Sequence, residues 1–274
     1  MRVEFFGVRG TFPGLGRKES KFGVNTPCAR LTPANGATVI VDAGTGIRPL
    51  GDLILARRKS GSGPLRLSLL FTHFHLDHVL GLPFFAPLYM EDAEIDFYSW
   101  REPDDMREIL GRLAAAPFFP VPLESTPAKK NFFRLPENAL SLEGVTVTQC
   151  PLHHPQGCVA YRLEERGRSI VFATDTEHPA SGIDDRLAAF AREADVLVYD
   201  AMYLPGEYAA ERRGWGHSTW IEGTRLARAA GIHRLLLSHF NPDHLDRDIR
   251  AMQRAARREF RGTEAAAQGM IIKL

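Results

Sequence analysis

Apolar positions fall into short runs broken by turn residues, and two periods alternate along the chain. Residues 3–8 (VEFFGV), 28–31, 37–41 and 65–71 (LRLSLLF) are compact apolar runs of strand length. The second and third are joined by Pro33-Ala34-Asn35-Gly36, whose Asn-Gly pair is a hairpin signal. Helical spacing takes over at about 47–59 and again at 104–115, the latter started by Pro103-Asp104, with a strand at 93–99 between them. The second half repeats the alternation. Strands are expected at 145–149, 159–163, 169–173, 196–199 and 234–237, helices at 186–193, 219–230 and 247–258, and a closing strand at 269–273. No linker or low-complexity segment divides the chain. Two similar halves of mixed sheet flanked by helices predict an α/β protein, a four-layer αβ/βα sandwich, as one domain over residues 1–274.

Three connections break the pattern. Arg9-Gly10-Thr11-Phe12-Pro13 is turn-rich, and residues 14–26 form a polar, Gly-rich surface loop able to lie over a site. Residues 116–123 (APFFPVPL) hold too much proline for a helix or an inner strand, so their aromatics either wall a substrate cleft or pack a connecting loop. Lys129-Lys130 beside Phe132-Phe133 reads as a solvated turn rather than a nucleic-acid contact.

Composition narrows the function classes. A formal net charge of +1 gives no bulk field towards nucleic acid or membrane. The first ten residues alternate like a strand and lack the apolar core of a signal peptide, and no run of about 18 apolar residues exists to span a membrane. Cys28, Cys150 and Cys158 are odd in number and without C-x-x-C spacing, as reduced core thiols of a cytoplasmic protein would be.

The candidate chemistry collects at strand ends. The run 65–71 leads into Phe71-Thr72-His73-Phe74-His75-Leu76-Asp77-His78, so four side chains able to bind a metal fall within six positions. On an extended strand end His73 and His75 point the same way, and the following turn brings Asp77 and His78 round to the same pocket. Neutral imidazole and carboxylate are ligands that zinc and similar divalent ions accept. Val79-Leu80-Gly81-Leu82-Pro83 then reads as a short loop entering a helix. Later strand ends deliver Leu152-His153-His154-Pro155, in which one histidine should be a ligand, then Thr174-Asp175-Thr176, Tyr199-Asp200-Ala201 and Ser238-His239-Phe240. Gly214-Trp215-Gly216-His217-Ser218-Thr219 sets His217 in a Gly-flanked loop before a helix, with Ser218 available as its N-cap. His178, His233 and His244 lack this setting and are expected at the surface.

His-x-His-x-Asp-His resembles the signature of the metallo-β-lactamase superfamily, in the version whose members carry two metals. Gly-Leu-Pro-Phe-Phe at 81–85 is similar to the hydrolase branch containing ribonuclease Z and the phosphoribosyl cyclic phosphodiesterase of phosphonate metabolism. The αβ/βα sandwich is that superfamily's fold. The resemblance selects His154, seven residues before the Tyr of Ala160-Tyr161, where the family has a Gly-Tyr-like pair, and leaves His153 facing away or behind the ligands. It makes Asp42, in Asp42-Ala43-Gly44-Thr45-Gly46, a brace of the metal loop. It also makes Asp175 the carboxylate that reaches both metals, with Asp200 a rival or a residue that orients a ligand or His217. His73, His75 and His154 would then hold one ion, Asp77, His78 and His239 the other. The implied cofactors are two divalent metal ions, zinc first, with manganese or iron also suited. The catalytic residues carried over are Asp77 and His217, which matches the general-acid His of the His-Ser-Thr-like motif in the ribonuclease Z branch. Relatives in that branch pair, so a homodimer whose loop 14–26 or 117–123 shields the partner's site is implied as well.

Two cations roughly 3.5–4 Å apart acidify water and neutralise charge on the attacked group, which hydrolyses without a protein nucleophile. A positioned acid such as His217 suits alkoxide departure from a phosphodiester. The expected activity is therefore a metal-dependent phosphodiesterase, and the question is its substrate. Ribonuclease Z carries a tRNA-gripping arm between the positions matching His154 and Asp175, but 20 residues separate them here, enough for two strands and a turn. A small phosphodiester, such as a cyclic nucleotide or cyclic sugar phosphate, is favoured over RNA. A glyoxalase-II-like thioesterase shares all seven ligands and is the serious alternative. A flavodiiron-type oxidoreductase usually has Glu where this chain has His75, and a true β-lactamase needs neither Asp175 nor His217. A non-enzymatic binding module would be expected to have lost a ligand, and none is missing.

Overall fold

The computed structural model describes residues 1–14, 20–58 and 63–274. One sheet contains β1 (Arg2–Gly7), β2 (Cys28–Thr32), β3 (Val39–Val41), β4 (Leu65–Leu70), β5 (Ala93–Ser99), β6 (Lys129–Arg134) and β14 (Ile271–Lys273), in the order β14-β1-β2-β3-β4-β5-β6. The other contains β7 (Leu140–Leu142), β8 (Val145–Leu152), β9 (Cys158–Glu165), β10 (Arg168–Ala173), β11 (Val196–Asp200), β12 (Arg234–Ser238) and β13 (Thr263–Ala265), in the order β13-β12-β11-β10-β9-β8-β7. Each sheet is parallel along one half, β3 to β6 and β10 to β13, and antiparallel along the other. The helices are α1 (Ile47–Arg57), α2 (Leu76–Val79), α3 (Pro103–Leu113), α4 (Asp185–Phe190), α5 (Pro205–Glu207), α6 (Trp220–Ala229) and α7 (Asp246–Glu259).

Strand periodicity explains the layering. Val39, Val41 and Leu70 face the second sheet and share a core with Val147, Tyr161 and Val171. Their neighbours Ile40, Leu69 and Phe71 turn the other way, onto Ile47 and Leu50 of α1 and Met106 and Leu110 of α3. On the far side, α6 and α7 bury Leu226, Ile249 and Met252 in the first of these cores. The result is the α/β sandwich expected, and the central strands are apolar on both faces because helices cover one face and a sheet the other. Leu50 and Leu69 are fully buried, and truncating either to Ala would cost about 2–5 kcal/mol.

Several local expectations are corrected. Lys129-Lys130 is not a turn but the start of edge strand β6, which pairs with β5. Its lysines occupy an unpaired edge, where charge discourages further strand addition, and Lys129 bonds Glu94 at 2.6 Å. Edge strands β7 and β13 are three residues each, too short for an alternating pattern to be legible. The helix expected after the octapeptide begins inside it, so Asp77 and His78 lie on the single turn of α2. The first long helix ends at Arg57, and Lys59 falls outside the described residues. Strand β8 runs on to Leu152 through Pro151, which pairs with Val159 while β7 covers only residues up to Val147, so the missing N–H breaks no ladder on the open side.

Candidate metal centre

Strands that run in one direction within each sheet, the parallel ones and β8 beyond them, deliver their C-terminal ends to one rim of the sandwich, the edge where α/β sheets present their chemistry. Asp42 follows β3, His73 and His75 follow β4, His154 follows β8, Asp175 follows β10, Asp200 ends β11 and His239 follows β12. Asp42, Asp175 and His239 have φ of 61°, 60° and 59°. Left-handed backbone costs a non-Gly residue about 1–2 kcal/mol, and three such residues at one rim mark a site over-determined by its surroundings. Gly10 borders it because a Cβ there would lie 2.4 Å from the His239 ring.

All seven ligand candidates meet. His73, His75 and His154 converge in one group, Asp77, His78, Asp175 and His239 in a second, and Asp175, Asp200, His217 and His239 in a third, the ligand atoms of each lying within 4.8 Å of one another. Asp175 Oδ1 stands 3.8 Å from His73 Nε2, 4.0 Å from His154 Nε2 and 3.2 Å from His239 Nε2, and its Oδ2 stands 3.2 Å from His78 Nε2. Asp175 thus lies between the first group and the second. Asp200 is arranged differently. Its Oδ2 accepts the Asp175 N–H at 3.0 Å and His217 Nδ1 at 2.9 Å, and its Oδ1 accepts the N–H of Met202 at 3.0 Å and of Ser218 at 3.1 Å. Both of its oxygens are engaged.

The ring nitrogens are sorted by what stands behind them. Asp42 Oδ2 holds His78 Nδ1 at 2.8 Å, and the Gly216 carbonyl holds His154 Nδ1 at 2.8 Å, so each presents Nε2 to the pocket. His75 Nε2 bonds Gln156 Oε1 at 2.6 Å, which turns its Nδ1 inward to 3.0 Å from His154 Nε2. His73 Nε2 and Asp175 Oδ2 are buried without a hydrogen-bond partner. Orphaned polar atoms of this kind in a buried pocket are what a cation would satisfy.

The electrostatics agree. Asp42, Asp77, Asp175 and Asp200 are all buried, and their charged partners among the described residues are imidazoles, with no Lys or Arg. Burial works against the charge of Asp77 and Asp175, yet the surrounding histidines hold both carboxyls well below their usual range. Burial keeps the His73 imidazole neutral, the form that ligates, with repulsion from His78 adding to it. At His78 burial is outweighed by Asp175, Asp77 and Asp42, which draw a proton onto the ring. A pocket that recruits protons to balance buried carboxylates fits divalent cations.

His217 is buried beside this pocket, with its ring 5.1 Å from that of His239 and nearly parallel to it. Burial would discharge it, but Asp200, reinforced by Asp175 and Asp77, lifts its pKa to about 9. The expected cap does not form: Thr219, not Ser218, is the N-cap of α6, and the Ser218 hydroxyl instead meets His178 Nδ1 at 2.9 Å and the Tyr199 hydroxyl at 3.1 Å. His153 faces away, its Nε2 3.6 Å from Asp184. His233 is exposed as expected. His178 is half-buried, and His244 is buried against Glu207 at 3.0 Å, so neither is a surface residue. Their sequence neighbourhoods lack an apolar run, and tertiary contacts alone bury them.

Three contributors carried no sequence signal. Thr11 N–H donates to Asp77 Oδ2 at 2.7 Å. Buried Arg9 donates to the carbonyls of Gly23, Asn241 and His244, tying three loops at the rim. Of the polar loop, residues 20–26 pack along the chain's C-terminal part, through Ser20 to Asp246 at 2.7 Å and Val24 N–H to Gln268 at 3.3 Å, and residues 15–19 lie outside the described residues. The third is Glu177, which binds the loop before His217.

Comparison with known proteins gives the site a context. Residues 37–240 match the family described as Beta-lactamase superfamily domain. A Ribonuclease Z of Clostridium acetobutylicum is 24% identical over 260 residues, covering 77% of this chain and 81% of its own. Among solved structures, a diphosphatase from the PhnP family superposes with a TM-score of 0.71 at 18% identity, covering 100% of this chain and 97% of that one. Zn(2+)-bound PqqB from Methylobacterium extorquens does so with a TM-score of 0.73 at 16% identity, covering all of both chains.

Proposed function

From the premise that the chain belongs to the metallo-β-lactamase superfamily, and is a metal-dependent hydrolase of it, we propose that it cleaves a small phosphodiester, cyclic ones included. In this reading His73, His75 and His154 hold one divalent cation, Asp77, His78 and His239 hold a second, and Asp175 reaches both. Nitrogen and oxygen donors without thiolate suit zinc first, and manganese or iron as well. The cations would supply Lewis acidity, neutralising phosphoryl charge and acidifying water towards a pKa of about 7. Asp42 and the Gly216 carbonyl hold ligand rings at the correct tautomer. Asp77 is fixed by the Thr11 amide.

The observation that carries the reading is the Asp200–His217 pair. With Nδ1 donating to Asp200 at 2.9 Å, the proton His217 can give is on Nε2, and Asp200 stabilises the charged form that carries it. A leaving alkoxide needs that proton, whereas a thiolate with a pKa near 8.5 gains little from it, which favours a phosphodiester over a thioester. Substrate size is supported by the segment between His154 and Asp175. It is spent on β9, a turn at 166–167 and β10, with no arm inserted. The whole chain, 1–274, acts as one hydrolase domain in this reading, because both sheets send ligands to one pocket. Three free, buried cysteines support a reducing, cytoplasmic setting. In the same reading the stretch 117–123, whose Phe118 is 84% exposed, or the loop 14–26 would contribute to a homodimer contact, which light scattering would test: an active monomer refutes it.

The test is a substrate panel on metal-loaded protein: bis-p-nitrophenyl phosphate, cyclic nucleotides, a cyclic sugar phosphate, a precursor tRNA and S-lactoylglutathione. Turnover of the small phosphodiesters with the highest kcat/KM is expected. Preferred cleavage of precursor tRNA would overturn the substrate size and favour the activity named for its ribonuclease Z relatives. Efficient cleavage of the thioester alone would overturn the phosphodiesterase.

A further inference from the structure

Glu177 lies two residues beyond Asp175, on the segment leaving β10, and no ligand set includes it. Its carboxylate nonetheless binds the loop that carries His217. Oε1 accepts the Gly214 N–H at 2.7 Å and the Tyr208 hydroxyl at 2.8 Å, and Oε2 accepts the Gly216 N–H at 2.8 Å. Its backbone N–H donates to the His153 carbonyl at 2.8 Å. Four segments are thereby joined: the end of β10, the turn 208–212, the loop 214–217 and the His153–His154 peptide.

That loop needs such an anchor. Gly214 and Gly216 both have φ of 82°, a conformation glycine visits without committing to it. Gly216 also has no room to shift, since a Cβ there would lie 2.4 Å from His154 Nδ1. Its carbonyl accepts the His154 Nδ1–H, and the next residue is His217. Two backbone N–H groups two residues apart, aimed at one carboxylate, form a small anion nest. The same loop therefore sets the direction of a ligand nitrogen and of the proton donor.

We propose that Glu177 is a positioning residue that sets His217 for proton donation and, through Gly216, orients His154. The inference rests on the reading of His217 as the acid. Glu177→Gln is isosteric but offers one acceptor oxygen, and its amide hydrogens would face an N–H donor, so at least one loop contact turns repulsive. Glu177→Asp keeps the charge but is one methylene too short to span both glycines.

The test is a double-mutant cycle on metal-loaded protein, read on an alkyl phosphodiester and on bis-p-nitrophenyl phosphate. E177Q should lower kcat on the alkyl ester by roughly 10–100-fold, less than removal of the acid itself, and on the p-nitrophenyl ester by under about 3-fold. In an H217A background the same change should cost almost nothing further, because both act on one step. Chelator competition should show zinc affinity falling by about 10-fold or more, the scale of lost support behind a ligating histidine. Independent, multiplying losses from E177Q and H217A would overturn the inference while leaving His217 as the acid. Equal losses on both esters with unchanged zinc affinity would do the same. An H217A variant indifferent to the leaving group would instead overturn the acid itself, and Glu177 as its positioner with it.

Discussion

Replacing Asp175 by Asn tests the centre at a residue that faces both candidate ligand groups. Asn is the right probe because position 175 has φ of 60°, which Asn tolerates better than Ala. Ala would add about 1 kcal/mol of backbone strain unrelated to metal. One cation would lose an oxygen donor, since Asn keeps a single carbonyl oxygen where Asp offers Oδ1 beside His73, His154 and His239 and Oδ2 beside His78, and both would lose the buried charge that offsets them. For wild-type protein at zinc 1,000 times its Kd, each site stabilises the fold by about 4.1 kcal/mol. At roughly 2–4 °C per kcal/mol for a chain of this size, that is about 8–16 °C of Tm per site. Chelator-stripped and zinc-loaded samples compared by calorimetry, with metal content by plasma emission, read both quantities. D175N should bind at most one ion per chain and keep half or less of the wild-type zinc-induced Tm shift. Two ions per chain with the full shift would refute the bridge and move it to Asp200, against the four hydrogen bonds that engage Asp200 now.

Other consequences follow from individual contacts. With the His217 pKa lifted to about 9, above the ordinary value near 6.5, turnover of poor-leaving-group esters should be full at neutral pH and fall as pH rises through the raised value. Bound cations offset the Asp175 and Asp77 contributions while Asp200, the largest of the raising groups, stays in contact, so the alkaline limb should lie above neutrality and no higher than about 9, and a pH–kcat profile without an alkaline limb would be inconsistent with His217 as the acid. The linked stability has the same sign: it is complete below about 6.5 and lost as pH rises through 9. Gly216→Ala meets His154 Nδ1 at 2.4 Å and puts a Cβ at φ of 82°, so zinc affinity should drop at least about 10-fold by chelator competition; an unchanged affinity would mean the loop does not orient His154. Tyr161→Phe removes the 2.6 Å hydrogen bond to the Phe71 carbonyl, immediately before the His73 strand end, and should cost about 1–3 kcal/mol in urea unfolding.

The sequence by itself determined the architecture and most of the residues that gather at the candidate centre, and both for the same reason. Central strands such as residues 65–71 and 234–237 must be apolar on both faces, so their ends stand out sharply, and a His or Asp at such an end has one direction to go. His73, His75, Asp77, His78 and His239 were legible as candidates on that ground, and so were Asp175 and Asp200 together, without a choice between them. Choosing His154 over His153 already required the resemblance, because adjacent residues point to opposite sides and the sequence does not say which side is inward; the structure turns His154 towards His75 and His153 towards Asp184. What tertiary structure alone decided is the support behind the ligands. Glu177 holding two glycine amides, Thr11 reaching Asp77 across 66 positions, and Arg9 joining Gly23 to residues 241 and 244 are contacts between loops. Edge strands β6, β7 and β13 were hidden for a related reason. One covered edge demands few apolar residues, so a periodic signal has nothing to register, and only the neighbouring strand's open hydrogen bonds fix them as strands.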